Sequence, residues 1–372
     1  MDILVDARAL VAKPAGIAAV IVQSIRNTVR YRKDIHFRLL APAEIHPELK
    51  RLLPRENVEV EVCPIKGLGR IPPLVWSNIR IPKAVRKHKP DLFWSPMPSL
   101  PYLWFSKVPR LITVYDVVHI EFRETMTWRA RIGHTLTNKF AITHADYIWT
   151  ISEYTKKAVE QYFPKHRCHN IFVGCSTDTD LYTHNPTFKK SDILKEFGLK
   201  DKFLLFVGSL EPRKNLPYLL SLIPELYSKG IQLLVVGGKA WKTSNISDII
   251  NAPDYPSEAV VFAKFVSNEK LAEIYNVADC FVSTSLNEGF GLPQLEALKC
   301  GCPVVTSHNS AMIEVVEGLG KTVEGWDKDE WIRTILKEVE NRDSFVVDDD
   351  KLQRYDWHHI IDGLFNYVGN QK

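Results

Sequence analysis

The chain has 372 residues, 45% of them hydrophobic and 25% charged, an ordinary globular mixture long enough for two domains that each bury a core. No stretch reaches the roughly 18–20 apolar residues that span a bilayer, and six cysteines in no metal or disulfide spacing exclude a disulfide scaffold or a zinc module. The net charge of +4 is unevenly spread: residues 1–190 carry 29 Lys or Arg against 17 Asp or Glu, the remainder 19 against 27. In chain order, "MDILVDARAL" comes first and carries Asp2 and Asp6 inside its apolar run, which is not how a secretory signal reads. A reducing, cytoplasmic setting is expected from the cysteine usage. "PAGIAAVIVQSI" places Gly16 ahead of a helix, but there is no GxGxxG, which argues against a dinucleotide dehydrogenase.

"HFRLLA" reads as the next strand. "RIPKAVRKHKP" (Arg80 to Pro90) is the densest basic cluster. It is either a solvated helix face or a surface drawn to an anionic membrane or a pyrophosphate-linked acceptor. No base-reading motif accompanies it, so no nucleic acid partner is expected. "FWSPMPSLPYLWF" (Phe93 to Phe105) offers aromatics that suit either a buried strand and loop or a lipid interface. "RLITVYD" ends a strand at Tyr115-Asp116, with His119 close behind. A lone His there is either structural or catalytic. "YIWTIS" and "NIFVG" follow as strands. The rhythm weakens in the polar, turn-rich stretch from Thr177 to Asp201, where the interdomain linker is expected. The domains are expected at 1–185 and 186–353.

In the second half, "KFLLFVGS", "IQLLVVGG", "AVVFAKFV", "DCFVSTS" and "PVVTS" are nearly continuous apolar runs, as buried parallel strands should be. Alternation with amphipathic stretches predicts α/β units with crossover helices. After Gly208, a short loop presents Arg213 and Lys214, and Asn215 is the expected N-cap of the following helix. Cations at the C-terminal end of a parallel strand stand where open α/β sheets bind ligands, and both grip phosphate oxygens. "EGFGLPQLEALKCGCPVV" (Glu288 to Val305) sets Glu288 on a glycine-rich loop, Pro293 and Glu296 in the first turn of a helix, and Gly301 at its end. The helix start receives an anion, and the two acids accept hydrogen bonds from hydroxyls. Together they suggest a ligand carrying both phosphate and sugar; the alternative is exposed loop and cap groups. Cys300 and Cys302 read as small core residues. "RYDWHHIIDGLFNYV" reads as a final amphipathic helix, about 354–372, that packs on either domain.

These stretches together resemble glycosyltransferase family 4, retaining enzymes of the GT-B fold, with a mannosyltransferase-like cast. "EGFGLPQLEALKCGCPVV" resembles the family's E-x7-E signature and following GxPV strand; "GSLEPRKN" resembles its phosphate-gripping loop. "VVGGKAW", "FAKFVSNEKLAEIYNVADCFVSTS" and "TISEYTKKAV" also fit, so the resemblance covers most of residues 110–316. It implies two Rossmann-like domains facing across a cleft, and a retaining, nucleotide-sugar-dependent hexosyltransferase of polysaccharide biosynthesis. Its donor would be a nucleotide sugar, GDP-mannose first, and its acceptor a saccharide or lipid-linked saccharide; peripheral contact at the inner face of a membrane is an expectation from the basic N-terminal half and its aromatics, not from the resemblance. By the same resemblance, Arg213 and Lys214 bind the donor diphosphate, Glu288 contacts the transferred sugar and Glu296 the ribose. Main-chain groups of Phe290, Gly291 and Leu292 hold sugar and phosphate oxygens, and Gly16 faces the donor. Where many relatives have His-Asp, this chain has Tyr115-Asp116; Asp116 and His119 remain catalytic candidates, and either Tyr115 or His119 replaces the family's His, or the role is absent. No Asp-x-Asp is placed to hold a metal, so no metal or other cofactor is expected. A GT-B epimerase or phosphorylase, or a non-catalytic sugar-nucleotide-binding protein, would share these features.

Overall fold

The structure, a computed structural model, describes residues 1–12, 16–65, 72–121, 128–168, 170–238 and 244–369. It divides into two compact units, Met1–Ser176 with Tyr355–Lys372, and Thr177–Arg354. The first unit contains strands β1 (Asp2–Asp6), β2 (His36–Ala41), β3 (Val58–Val62), β4 (Leu92–Ser95), β5 (Arg110–Val114), β6 (Tyr147–Thr150) and β7 (Phe172–Val173). They pair in parallel in the order β3-β2-β1-β4-β5-β6-β7. Successive side chains enter opposite layers: Ile3, Val5, Trp94 and Trp149 join one core, Leu4, Phe93 and Ile148 the other. Covering both faces is why the strands read as unbroken apolar runs.

The first core is closed by helix Gly16–Tyr31 and by the C-terminal helix Trp357–Gly369, which contributes Trp357, Ile360, Ile361, Leu364 and Val368. Tyr147 Oη donates to the Val368 carbonyl at 3.0 Å, and Ser176 Oγ to the Tyr355 carbonyl at 2.6 Å. The second core takes Trp76, Ile81 and Val85 from helix Pro73–His88.

The second unit contains β8 (Lys202–Val207), β9 (Ile231–Val236), β10 (Val260–Phe262), β11 (Cys280–Ser283), β12 (Val304–Ser307) and β13 (Lys321–Val323). All pairings are parallel, in the order β10-β9-β8-β11-β12-β13. The chain runs outward from β8 through β9 and β10, then restarts at β11 on the other side of β8. The crevice beyond the C-terminal ends of β8 and β11 is therefore a topological switch point, where open parallel sheets take their ligands.

The division falls at Ser176/Thr177 rather than at 185/186. Residues after it are tied into the second unit by side chains: Thr177 Oγ1 donates to Glu296, and the Asn185 amide to Asn276 Oδ1 at 2.7 Å. Cys300 and Cys302 are fully buried free thiols.

Candidate functional site

The site is built at that switch point. Gly208, just past β8, takes φ +154°, and a Cβ on Gly237 would lie 1.9 Å from the Gly208 carbonyl oxygen. Two strand ends can cross this closely only where side chains are absent. The Lys214 stem lies over Gly208, 3.5 Å from where a Cβ would stand. Arg213 and Lys214 belong to the 3-10 turn Pro212–Lys214. The Leu286 amide donates to the Arg213 carbonyl at 2.8 Å and Thr284 Oγ1 to the Asn215 carbonyl at 3.0 Å, fixing the turn to the chain beyond β11. Asn215 does precede the helix, but in a left-handed conformation (φ +50°) and without a side-chain cap bond. The expectation of a capping side chain is therefore corrected: at that φ the residue turns the chain rather than caps it.

Glu288 sits between the two cations. Lys214 Nζ and Ser285 Oγ donate to its Oε1, the latter at 2.8 Å, and Arg213 Nη1 donates to Oε2 at 2.9 Å. Arg213 Nη1 also donates to the Asn287 carbonyl, and its Nη2 lies 3.7 Å from Glu211. The Glu288 amide donates to Ser310 Oγ at 2.9 Å. Burial alone would push the Glu288 carboxyl up; Lys214 and Arg213 outweigh it and hold the group at about 2. Glu288 is thus an ionised acceptor near neutral pH and has no proton to give.

Helix Leu292–Lys299 begins beside this cluster, after Gly291 at φ +109°. Its first-turn amides have no partner within the helix, and Pro293 occupies a position where no amide is needed. Phe290 is buried and Leu292 half-buried. Gln294 donates to Ser283 Oγ at 3.1 Å, tying the helix start to β11. Glu296 is the fifth residue of the helix, one turn deeper than expected, because the helix starts only at Leu292. Thr177 Oγ1 and Tyr275 Oη donate to its two oxygens, each at 3.1 Å. Part of Glu296 reaches solvent, yet burial of its carboxyl pushes it up to about 7, against those two hydrogen bonds and assisted by Asp178.

Arg213, Lys214 and Glu288 are therefore brought into direct contact, with Phe290, Gly291, Leu292 and Glu296 following at the start of one helix. Gly16 and Asp116 belong to the other unit. Gly16 is exposed at the start of the helix after β1, with open space where a Cβ would be. Asp116 is exposed just past β5. Tyr115 is buried and its Oη has neither solvent nor a hydrogen-bond partner. His119 lies in helix Val118–Glu121, and its side chain is outside the described residues, as are residues 239–241 of "VVGGKAW". Sequence reading missed Ser285, Ser310, Thr177 and Tyr275. A hydroxyl three residues before Glu288 was the one local signal; the others arrive through tertiary packing. Among the described residues no group of three His, Cys, Asp or Glu is placed to hold a metal ion, and no helix is long and apolar enough to cross a membrane.

The family described as "Glycosyl transferases group 1" matches residues 189–345. The chain is 26% identical over 265 residues to O-antigen chain mannosyltransferase B of Escherichia coli, covering 69% of this chain and 68% of that one. It is 28% identical over 208 residues to the serotype-specific mannosyltransferase WbdA of Escherichia coli, covering 54% of this chain and 26% of that protein's length. Its fold is similar over the full length of both chains to Anabaena Alr3699/HepE, solved in complex with UDP-glucose, with a TM-score of 0.76 at 19% identity.

Proposed function

We propose that this chain, whose residues 189–345 match the group 1 glycosyltransferases, is a member of that family and moves mannose from GDP-mannose to a saccharide or lipid-linked saccharide during polysaccharide synthesis, retaining the anomeric configuration. The observation that carries this reading is the Arg213–Glu288–Lys214 cluster at the switch point, beside the start of helix Leu292–Lys299. The two cations and the helix start would receive the donor diphosphate and stabilise the charge that develops as it departs. Glu288, held ionised, would accept hydrogen bonds from the sugar hydroxyls and hold the cations at a fixed spacing. Held at about 2 by its two cations, Glu288 is too weak a base to take the acceptor's proton, so that proton would pass to the departing diphosphate on the same face. Glu296 would accept the ribose hydroxyls. The positive charge already present would make a metal ion unnecessary. The mannosyl reading draws on two relatives named as mannosyltransferases. UDP-glucose is the competing donor, since it is bound in the structurally similar HepE.

Calorimetry with GDP-mannose and UDP-glucose separates the donors. Arg213→Ala with Lys214→Ala should remove charge-assisted bonds worth roughly 1.5–3 kcal/mol each, with the far-UV spectrum retained. Glu288→Gln should chiefly lower kcat and Glu296→Gln chiefly weaken donor binding. Equal donor affinity in wild type and the Arg213/Lys214 variant would overturn the diphosphate assignment. Binding without transfer to any saccharide acceptor would favour a non-catalytic sugar-nucleotide binder. Loss of activity in a chelator would refute metal independence.

A further inference from the structure

The first unit carries an apolar surface that the donor site does not use. Tyr102, Leu103 and Phe105 are 42%, 56% and 87% exposed on the loop after β4, while Phe93 and Trp94 of the same stretch are core. The loop is tied to helix Pro73–His88: the Tyr102 and Leu103 amides both donate to Asn78 Oδ1, at 2.7 and 3.4 Å. That helix exposes Val75 and Ile79 at 45% and 50%. With Lys83 and Arg86, both exposed, they fall at helical spacing on one face. On the other side, the Tyr102 ring meets Phe140 at 4.4 Å in helix Trp128–His144, which exposes Leu136 one turn earlier at 59%. Three segments thus meet in one apolar surface.

Charge identifies what such a surface fits. Helix Pro73–His88, the loop 96–109 and helix Trp128–His144 together contain eight Lys or Arg and no Asp or Glu. Lys83, Arg86, Lys107 and Lys139 are exposed around the apolar side chains. Two acids of neighbouring segments have partners of their own: Glu61 pairs with Lys87 and His88, and Glu121 accepts from Tyr154. Clustered exposed apolar groups mark an interaction site. An aromatic and aliphatic centre with exposed cations around it among the described residues matches the boundary of an anionic bilayer, with side chains among the acyl chains and cations at the headgroups. We infer that the surface formed by Val75, Ile79, Tyr102, Leu103, Phe105 and Leu136 docks this protein on an anionic lipid membrane. The inference does not rest on the donor assignment, because binding is read without donor or acceptor.

The test is co-sedimentation of the full chain with phosphatidylcholine vesicles, with and without about a third phosphatidylglycerol, across a salt series. The chain should sediment with the anionic vesicles at low salt, less as salt rises, and not with phosphatidylcholine alone. Leu103→Asp with Phe105→Asp should weaken binding about tenfold or more at every salt concentration, while Lys83→Ala, Arg86→Ala and Lys107→Ala together should remove the salt dependence. These positions are exposed, so the unfolding midpoint of each variant should match wild type. In the unmodified chain, bromine on the lipid acyl chains should quench tryptophan emission through Trp104, beside the exposed loop. Wild type left in the supernatant at low salt overturns the inference. So does an aspartate variant that sediments like wild type, or a chain that ignores vesicles and self-associates through Phe105.

Discussion

Glu288 and Glu296 titrate in opposite directions because burial raises both carboxyls, and only Glu288 has cations that outweigh it; the two hydroxyls at Glu296 oppose its burial without overcoming it. Both start from an ordinary value of 4.5 in the unfolded chain. Glu288, held at about 2, adds stability above pH 4.5 that is lost as pH falls toward 2. Glu296, raised to about 7, behaves inversely: its contribution is complete below 4.5 and is lost as pH rises through 7. A shift of that size corresponds to roughly 3 kcal/mol. Urea unfolding should therefore show a stability decline between about pH 5 and about pH 8 that Glu296→Gln flattens. An unchanged slope in the variant would show that the carboxyl is already ionised in the folded state. Tyr115 offers a second residue-scale test. An enclosed hydroxyl without a partner costs about 1–3 kcal/mol, so Tyr115→Phe should be neutral or stabilising by about 1 kcal/mol in the same assay. A clear loss of stability or of donor turnover in Tyr115→Phe would mean that the hydroxyl has work to do in the bound protein.

Between elements, the crossing of Gly208 and Gly237 sets how close β8 and β9 come at their C-terminal ends, and so where the Arg213–Lys214 turn starts. Gly237→Ala drives a Cβ into the Gly208 carbonyl, which is backbone and cannot rotate away. Overpacking of this kind costs about 1–3 kcal/mol. Donor affinity should fall with it, because Lys214 lies over Gly208. Gly238→Ala is the control, having nothing within 4 Å of its Cβ position and no positive φ. If both variants unfold and bind alike, the crossing does not set the turn. The long apolar strands were legible in sequence because burial on both faces leaves unbroken runs. Two strands were not: β3 alternates Val and Glu and β13 is Lys-Thr-Val, both at sheet edges where no unbroken apolar run forms; β4 was legible only as one of two readings of Phe93 to Phe105. Arg213, Lys214 and Glu288 could be picked out by residue type, but their mutual ion pairing could not. Nor could Glu296's partners, since Thr177 is 119 positions away and was assigned to the other domain.

At the scale of the whole molecule, the chain crosses from the first unit to the second once and returns for a single helix. Trp357, Ile360, Ile361, Leu364 and Val368 from that helix are buried in the first unit's core. At about 1.5–3 kcal/mol for each large apolar side chain buried, they contribute on the order of 10 kcal/mol, comparable with the whole stability of a domain. Met1–Ser176 by itself should therefore fail to fold cooperatively. Joining Ser176 directly to 355–372 through a short flexible linker should restore it, because the Ser176 hydroxyl already bonds the Tyr355 carbonyl at 2.6 Å and the ends lie side by side. The second unit needs no such return. Arg213, Lys214, Glu288, Glu296 and the helix start all lie within Thr177–Arg354, so that segment should fold alone and keep much of the donor affinity while losing transfer. Circular dichroism melts of the three fragments, with calorimetry of the third against GDP-mannose and UDP-glucose, measure this. A cooperative melt for Met1–Ser176 equal to that of the rejoined fragment would show that the C-terminal helix is an ornament on a core already complete. A folded Thr177–Arg354 that binds neither nucleotide sugar, when the full chain binds one, would show that the donor site is not contained in the second unit.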